Sequence, residues 1–140
     1  MPLLEVEIVG VPAATTNPPL ARRIADTAGA VLGSAPQGTW VRLHYLPPEQ
    51  YAENGGLIEA LPVFVLLTLA KPATGAALAA QLRELAQAIG DACERGAESV
   101  HIRVEPPAAG RIAFGGKLRD IYVTMYRPII RHRYADPACV

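Results

Sequence analysis

Two stretches sixty positions apart share one design, and that duplication restricts the fold more than any other feature. Met1-Pro2-Leu3-Leu4-Glu5-Val6-Glu7-Ile8-Val9-Gly10 and Leu61-Pro62-Val63-Phe64-Val65-Leu66-Leu67-Thr68-Leu69-Ala70 both run on from a proline into a strand pattern. In the first, apolar and acidic residues alternate from Leu4 to Ile8, the period-two signature of a strand with one buried face. In the second, apolar residues fill both faces from Val63 to Ala70, Thr68 aside, as in a strand covered on two sides. Proline suits the first position of a strand, where no ladder bond is asked of its missing N–H. Pro62 stands in the second stretch where Pro2 stands in the first.

The segments after the two strands repeat as well. After the first comes a Pro/Thr/Asn/Ala loop closed by Pro18-Pro19, then a helix from Leu20 with Ile24, Ala28, Val31 and Leu32 on one face. Arg22, Arg23 and Asp26 face outward, and Gly33 ends the helix. Trp40–Leu46 is the next strand, stopped by Pro47-Pro48, and Tyr51 to Gly56 reads as a turn or short hairpin. After the second comes the loop Lys71 to Gly75, then a helix with Leu78, Leu82, Leu85 and Ile89 on one face and its exit at Gly96. Ser99–Val104 forms the fourth strand. Pro106-Pro107 matches Pro47-Pro48, and Gly115-Gly116 echoes Gly55-Gly56. Four strands and two helices thus make a tandem β-α-β, an α/β (α+β) fold with a four-stranded mixed sheet and two helices on one face. Each helical crossover requires its two strands to be parallel. Repeat 1 covers residues 1–58 and repeat 2 residues 59–117. The tail, 118–140, belongs to neither and is expected to pack on a neighbouring subunit.

With 13 basic and 13 acidic residues, the chain carries no electrostatic footprint for nucleic acid or an anionic membrane. Its longest apolar run is too short to span a bilayer. The acidic start, with Glu5 and Glu7, is unlike a secretory leader. Two cysteines, Cys93 and Cys139, make no disulfide framework, and no Cys/His spacing resembles a zinc site. A cytoplasmic protein without metal or cofactor is the expectation.

Pro2 carries the chemistry. If Met1 is trimmed, as is usual before a small residue, the first strand begins with a free secondary amine. An α-amino group ordinarily titrates near pH ~8. In an apolar pocket among cations its charged form is disfavoured, and the amine serves as a neutral base.

The proline-led strand, the β-α-β unit, and Val100-His101-Ile102-Arg103-Val104 followed by Gly110-Arg111-Ile112-Ala113-Phe114-Gly115-Gly116 resemble the tautomerase superfamily. That group includes 4-oxalocrotonate tautomerase and the macrophage migration inhibitory factor (MIF). The two-repeat length is similar to its fused members, and the resemblance covers residues 1 to about 117. It implies a homotrimer of tandem repeats, a cofactor-independent isomerase acting on a small carboxylic acid, and Pro2 as general base. It places Arg42 where 4-oxalocrotonate tautomerase has a substrate-binding strand arginine, which would clamp a carboxylate bidentately. His101 takes that position in the second repeat.

The departures shape the rest of the site. Pro12 replaces a second substrate arginine, and Lys71 is the cation placed to substitute for it. Two further arginines of the superfamily's decarboxylase fall at Lys71 and Ala73, which counts against decarboxylation. Glu53 falls on the water-activating glutamate of a superfamily dehalogenase, which makes a hydratase or dehalogenase of small unsaturated acids the alternative; a solvated turn residue is the plainer reading. Arg103 shares a sheet face with His101 and is a further candidate for the pocket. Tyr51 and Asn54 are placed either to donate hydrogen bonds to substrate or to shape their turn, and Phe114 with Ile112 to form an apolar wall. A non-catalytic trimeric binding protein is the third reading.

Overall fold

The computed structural model describes residues 1–11 and 17–119. Pro12, Cys139 and all but two residues of the tail lie outside that range. Four strands form one sheet: β1 (Leu3–Val9), β2 (Trp40–Leu46), β3 (Val63–Thr68) and β4 (Val100–Val104), in the order β2-β1-β3-β4. β1 runs parallel to β2 and β3 parallel to β4, while β1 and β3 meet antiparallel at the centre, Val6 opposite Val65. The duplication is therefore a two-fold arrangement about the β1–β3 seam, as the tandem β-α-β pattern requires.

Two helices cover one face, α1 (Leu20–Leu32) and α2 (Gly75–Cys93). Leu4, Val6 and Ile8 of β1 and Val63, Val65 and Leu67 of β3 point beneath them, together with Ile24, Leu85 and Ile89 from the helices. Each such side chain contributes about 1.5–3 kcal/mol by leaving water, so this layer is the main source of stability. Leu78 and Leu82, at the start of α2, are only half-buried.

Strand parity corrects one expectation. Buried residues carry even numbers in β1 and odd numbers in β3, so equivalent positions cannot differ by sixty. A shift of fifty-nine aligns the faces, and it also superposes Pro47-Pro48 on Pro106-Pro107. Pro62 is therefore level with Leu3, and the counterpart of Pro2 is Leu61. At Leu61 the backbone carbonyl accepts a hydrogen bond from Arg95 Nη1 at 2.8 Å.

α1 ends as expected, with Gly33 left-handed at φ 65°. α2 stops earlier than Gly96 implied: Glu94 takes the left-handed conformation at φ 57°, and the Arg95 N–H closes back on Gly90 O at 2.8 Å. Gly90 makes that closure possible, since a Cβ there would stand 2.8 Å from Arg95 O. The segment from Tyr51 to Gly56 is a turn without paired strands, preceded by a 3-10 turn at Pro48–Gln50. Its counterpart does form a hairpin, β5 (Ala113–Phe114) with β6 (Lys117–Leu118). Gly115 and Gly116 both have positive φ, 58° and 77°, the geometry of the tight two-residue turn that matches strand twist. Pairing continues to Arg119, past the expected end of repeat 2 at residue 117: its N–H donates to Ile112 O at 2.8 Å, and its carbonyl accepts from Gly110 N–H at 2.6 Å.

Candidate active site at the head of β1

Pro2 leads into β1, and its carbonyl accepts a hydrogen bond from the Trp40 N–H at 3.0 Å. That bond joins the head of β1 to the first residue of β2. The Trp40 indole donates to Gln37 O at 3.1 Å, and its ring meets Phe114 edge-on, centroids 5.1 Å apart at 83°. The β5–β6 hairpin is thereby docked on the strand end that carries Pro2. Ile112 is half-buried in the same hairpin. Lys71 belongs to this end as well, because β3 finishes opposite Leu3 and the loop bearing Lys71 comes directly after it. Phe114 is thus tied to the strand end that carries Pro2, and the loop bearing Lys71 follows β3 at the same end.

In the structure Met1 precedes Pro2, so the terminal amine is that of Met1. Burial, and then the positive charge of Arg119, hold that ammonium group below its ordinary 8.0. Both effects penalise the protonated form. Sequence reasoning missed Arg119, which falls in the tail outside the two repeats. The available signal was its place directly after the strand that succeeds Gly115-Gly116.

Arg42 lies on the open face of the sheet, two residues along β2 from Trp40. Its Nη1 donates to Glu5 Oε1 at 2.6 Å, across the Glu5–Arg42 register pair. Arg103 lies on the same face at the far edge strand, in an ion pair of 3.5 Å with Glu105. β3 stands between β4 and β1, so Arg103 is roughly 10 Å from β1, two strand spacings away.

Glu53, Tyr51 and Asn54 come after the other end of β2. Tyr51 Oη donates to Glu53 Oε1 at 3.1 Å, and loss of solvation with the nearby carboxylate raises the phenol above its ordinary 10.0. The Tyr51 ring packs near Phe64, centroids 5.9 Å apart, and Phe64 near His101 at 5.6 Å. Phe64 pairs with Glu7 near the far end of β1. Most of β1 separates this cluster from Pro2, roughly 17 Å along the strand for the five residues from Pro2 to Glu7. One chain does not bring Glu53 to Pro2, and any joint chemistry requires Glu53 of a second copy. A concavity of about 610 Å³ lined by Arg22, Gly29, Ser34 and Thr39 contains none of the candidate residues.

No family model matches the sequence, and no curated protein matches it. Solved structures do. A fused 4-OT, a symmetric trimer, superposes with TM-score 0.68 at 17% identity, over 84% of this chain and 94% of that chain. The structure of Pt0534 inactivated by 2-oxo-3-pentynoate gives TM-score 0.66 at 17% identity, over 84% and 94%. A MIF homologue from Prochlorococcus marinus gives 0.64 at 14%, over 84% and 98%. The chain has the tautomerase-superfamily fold. At these identities the likeness is one of fold, and it spans both repeats of this chain.

Proposed function

We propose that this protein is a cofactor-independent tautomerase that uses the Pro2 amine to move a proton between oxygen and carbon of a small 2-oxo or enol acid. One observation carries the proposal: the terminal amine, that of Met1 directly before Pro2, is partly buried and is held below its ordinary value by burial and then by the charge of Arg119, in a fold shared with fused 4-OT. Once Met1 is removed, the neutral Pro2 nitrogen takes the enol hydroxyl proton. The oxygen lone pair closes the carbonyl, the C=C pair turns to the adjacent carbon, and the Pro2 ammonium returns its proton there. Arg42 holds the carboxylate, or an oxygen that gains charge, by a two-pronged hydrogen bond. The Trp40–Phe114 pair docks the hairpin on the strand end that carries Pro2. A trimer is the proposed working state, in keeping with the fused 4-OT trimers of the same fold.

The test is intact-protein mass followed by ketonisation of phenylenolpyruvate. Loss of Met1, and loss of most of the rate in Pro2→Ala with unchanged secondary structure, are the expected results. Full activity with Met1 retained would overturn the proposal.

A further inference from the structure

The chain holds two asparagines, Asn17 and Asn54, and the residues that follow them set them apart chemically. Asn17 precedes Pro18, whose ring nitrogen carries no N–H. Asn54 precedes Gly55, whose nitrogen has no neighbouring Cβ to hinder its approach to a carbonyl carbon. Asn54, Gly55 and Gly56 form the tip of the turn after β2, and all are exposed. Gly55 takes φ 76°, and a Cβ built on either glycine would meet nothing within 4 Å. Among the described residues the Gly55 N–H donates no backbone hydrogen bond, and no side-chain hydrogen bond holds the Asn54 amide. The matching Gly115-Gly116 turn is different, since β5 and β6 pair on either side of it.

We propose that Asn54 is a site of spontaneous succinimide chemistry, at which this protein converts with age to aspartate and isoaspartate. The Gly55 nitrogen attacks Cγ, the carbonyl carbon of the Asn54 side chain. The N–Cγ bond forms and the Cγ–Nδ2 bond breaks. Nδ2 leaves as ammonia, taking the proton that the Gly55 nitrogen gives up. Water then opens the five-membered imide. Cleavage at Cγ leaves aspartate, and cleavage at the main-chain carbonyl leaves isoaspartate, whose main chain runs through the side-chain carbon. The chemistry uses water alone and calls for no oxidant or reductant.

Either product adds a carboxylate to a chain whose formal charge is zero, and adds it directly after Glu53. Glu53 accepts the Tyr51 hydroxyl at 3.1 Å, and the Tyr51 ring packs near Phe64, centroids 5.9 Å apart. A second anion beside Glu53, and in isoaspartate a main chain longer by one carbon, bear directly on that contact. A methyltransferase specific for isoaspartyl carboxylates is the class of partner that recognises the product. The inference stands apart from the proline-base reading, because the turn and Pro2 lie toward opposite ends of β1.

The full chain, folded, is incubated at mildly alkaline pH and followed by ion exchange, intact mass and peptide mapping. An isoaspartyl methyltransferase with a labelled methyl donor counts the isoaspartate. The parent is compared with Asn54→Gln, Gly55→Ala and Asn54→Asp, and the parent in denaturant sets the rate of an unconstrained chain. The parent should yield an acidic species that elutes with Asn54→Asp, has exchanged ammonia for water, and maps to Asn54. Methyl acceptance should rise in step, within severalfold of the rate in denaturant. Asn54→Gln should stay unchanged over the same interval, Gly55→Ala should react severalfold more slowly, and Asn17 should remain intact throughout. A folded parent that stays unmodified while the denatured chain reacts would overturn the proposal, since the turn would then be held or covered. An acidic species that maps elsewhere, or that forms equally in Asn54→Gln, would overturn it as well.

Discussion

Arg42 and Glu5 sit opposite one another on neighbouring parallel strands, with Nη1 and Oε1 2.6 Å apart. The pair is solvent-exposed, 61% and 37% for the two side chains, so it adds only about 0–1 kcal/mol to stability. Its consequence lies in binding: a substrate anion that uses Arg42 must displace or share Glu5. Arg42→Ala should lower kcat/KM by about 30- to 1000-fold, the loss expected for a charged group acting in the transition state. The melting temperature should barely move. Glu5→Gln should lower KM for an acid substrate, since it frees the guanidinium. Steady-state kinetics on both variants checks this, and a raised KM in Glu5→Gln would assign the carboxylate a different role.

The edge-on contact of Trp40 with Phe114 is what ties the hairpin to the strand end bearing Pro2. Such pairs are worth about 0.5–1.5 kcal/mol beyond their buried area. A double-mutant cycle on Trp40→Leu and Phe114→Leu should return a coupling in that range. Because Trp40 is the sole tryptophan, its emission should shift to the red in Phe114→Leu. An unchanged spectrum would mean that the hairpin does not rest there.

Among the described residues, helices cover one face of the four-stranded sheet, and Leu66, Phe64 and Leu3 are half-covered on the other. Three copies closing on their open faces would bury these residues. Light scattering at micromolar concentration should give the mass of three chains; a mass near 14.9 kDa would contradict the assembly.

Legibility in the sequence tracked the range of the interactions. The alternation from Leu4 to Ile8 and the span Trp40–Leu46 could be read because strand periodicity is a local property of the chain. Gly33 marked its helix end because only glycine takes a left-handed conformation without steric cost. Glu94 gave no such signal, since its conformation depends on how Gly90 meets Arg95. Pro62 is one position out of step with Pro2, because two prolines can match in sequence while the residues after them present opposite faces. Arg119 was missed because its position after the Gly115-Gly116 hairpin gains meaning only once Phe114 reaches Trp40 far back in the chain.

Cys93, the last residue of α2, is 7% exposed, and burial pushes its thiol up to about 11. The folded state therefore favours the neutral thiol. Its contribution to stability is complete below the unfolded value near 9.0 and is lost as pH rises through about 11. Under native conditions at pH 8, Cys93→Ala and the parent should react with a disulfide reagent to the same extent; in denaturant the parent should gain one equivalent. Rapid native labelling of Cys93 would show that α2 opens readily.

The most direct test of the central claim is the protonation of one nitrogen. Protein labelled with ¹⁵N-proline, confirmed by mass to begin at Pro2, can be titrated by NMR. At the Met1 amine directly before Pro2, loss of solvation and then the charge of Arg119 act against the ammonium form. The expected result is a Pro2 nitrogen that titrates well below the ~8 of a free terminus, with the same midpoint governing the rise of kcat/KM with pH. A Pro2 nitrogen that titrates at or above ~8, or that remains an amide behind Met1 in an active enzyme, would contradict it.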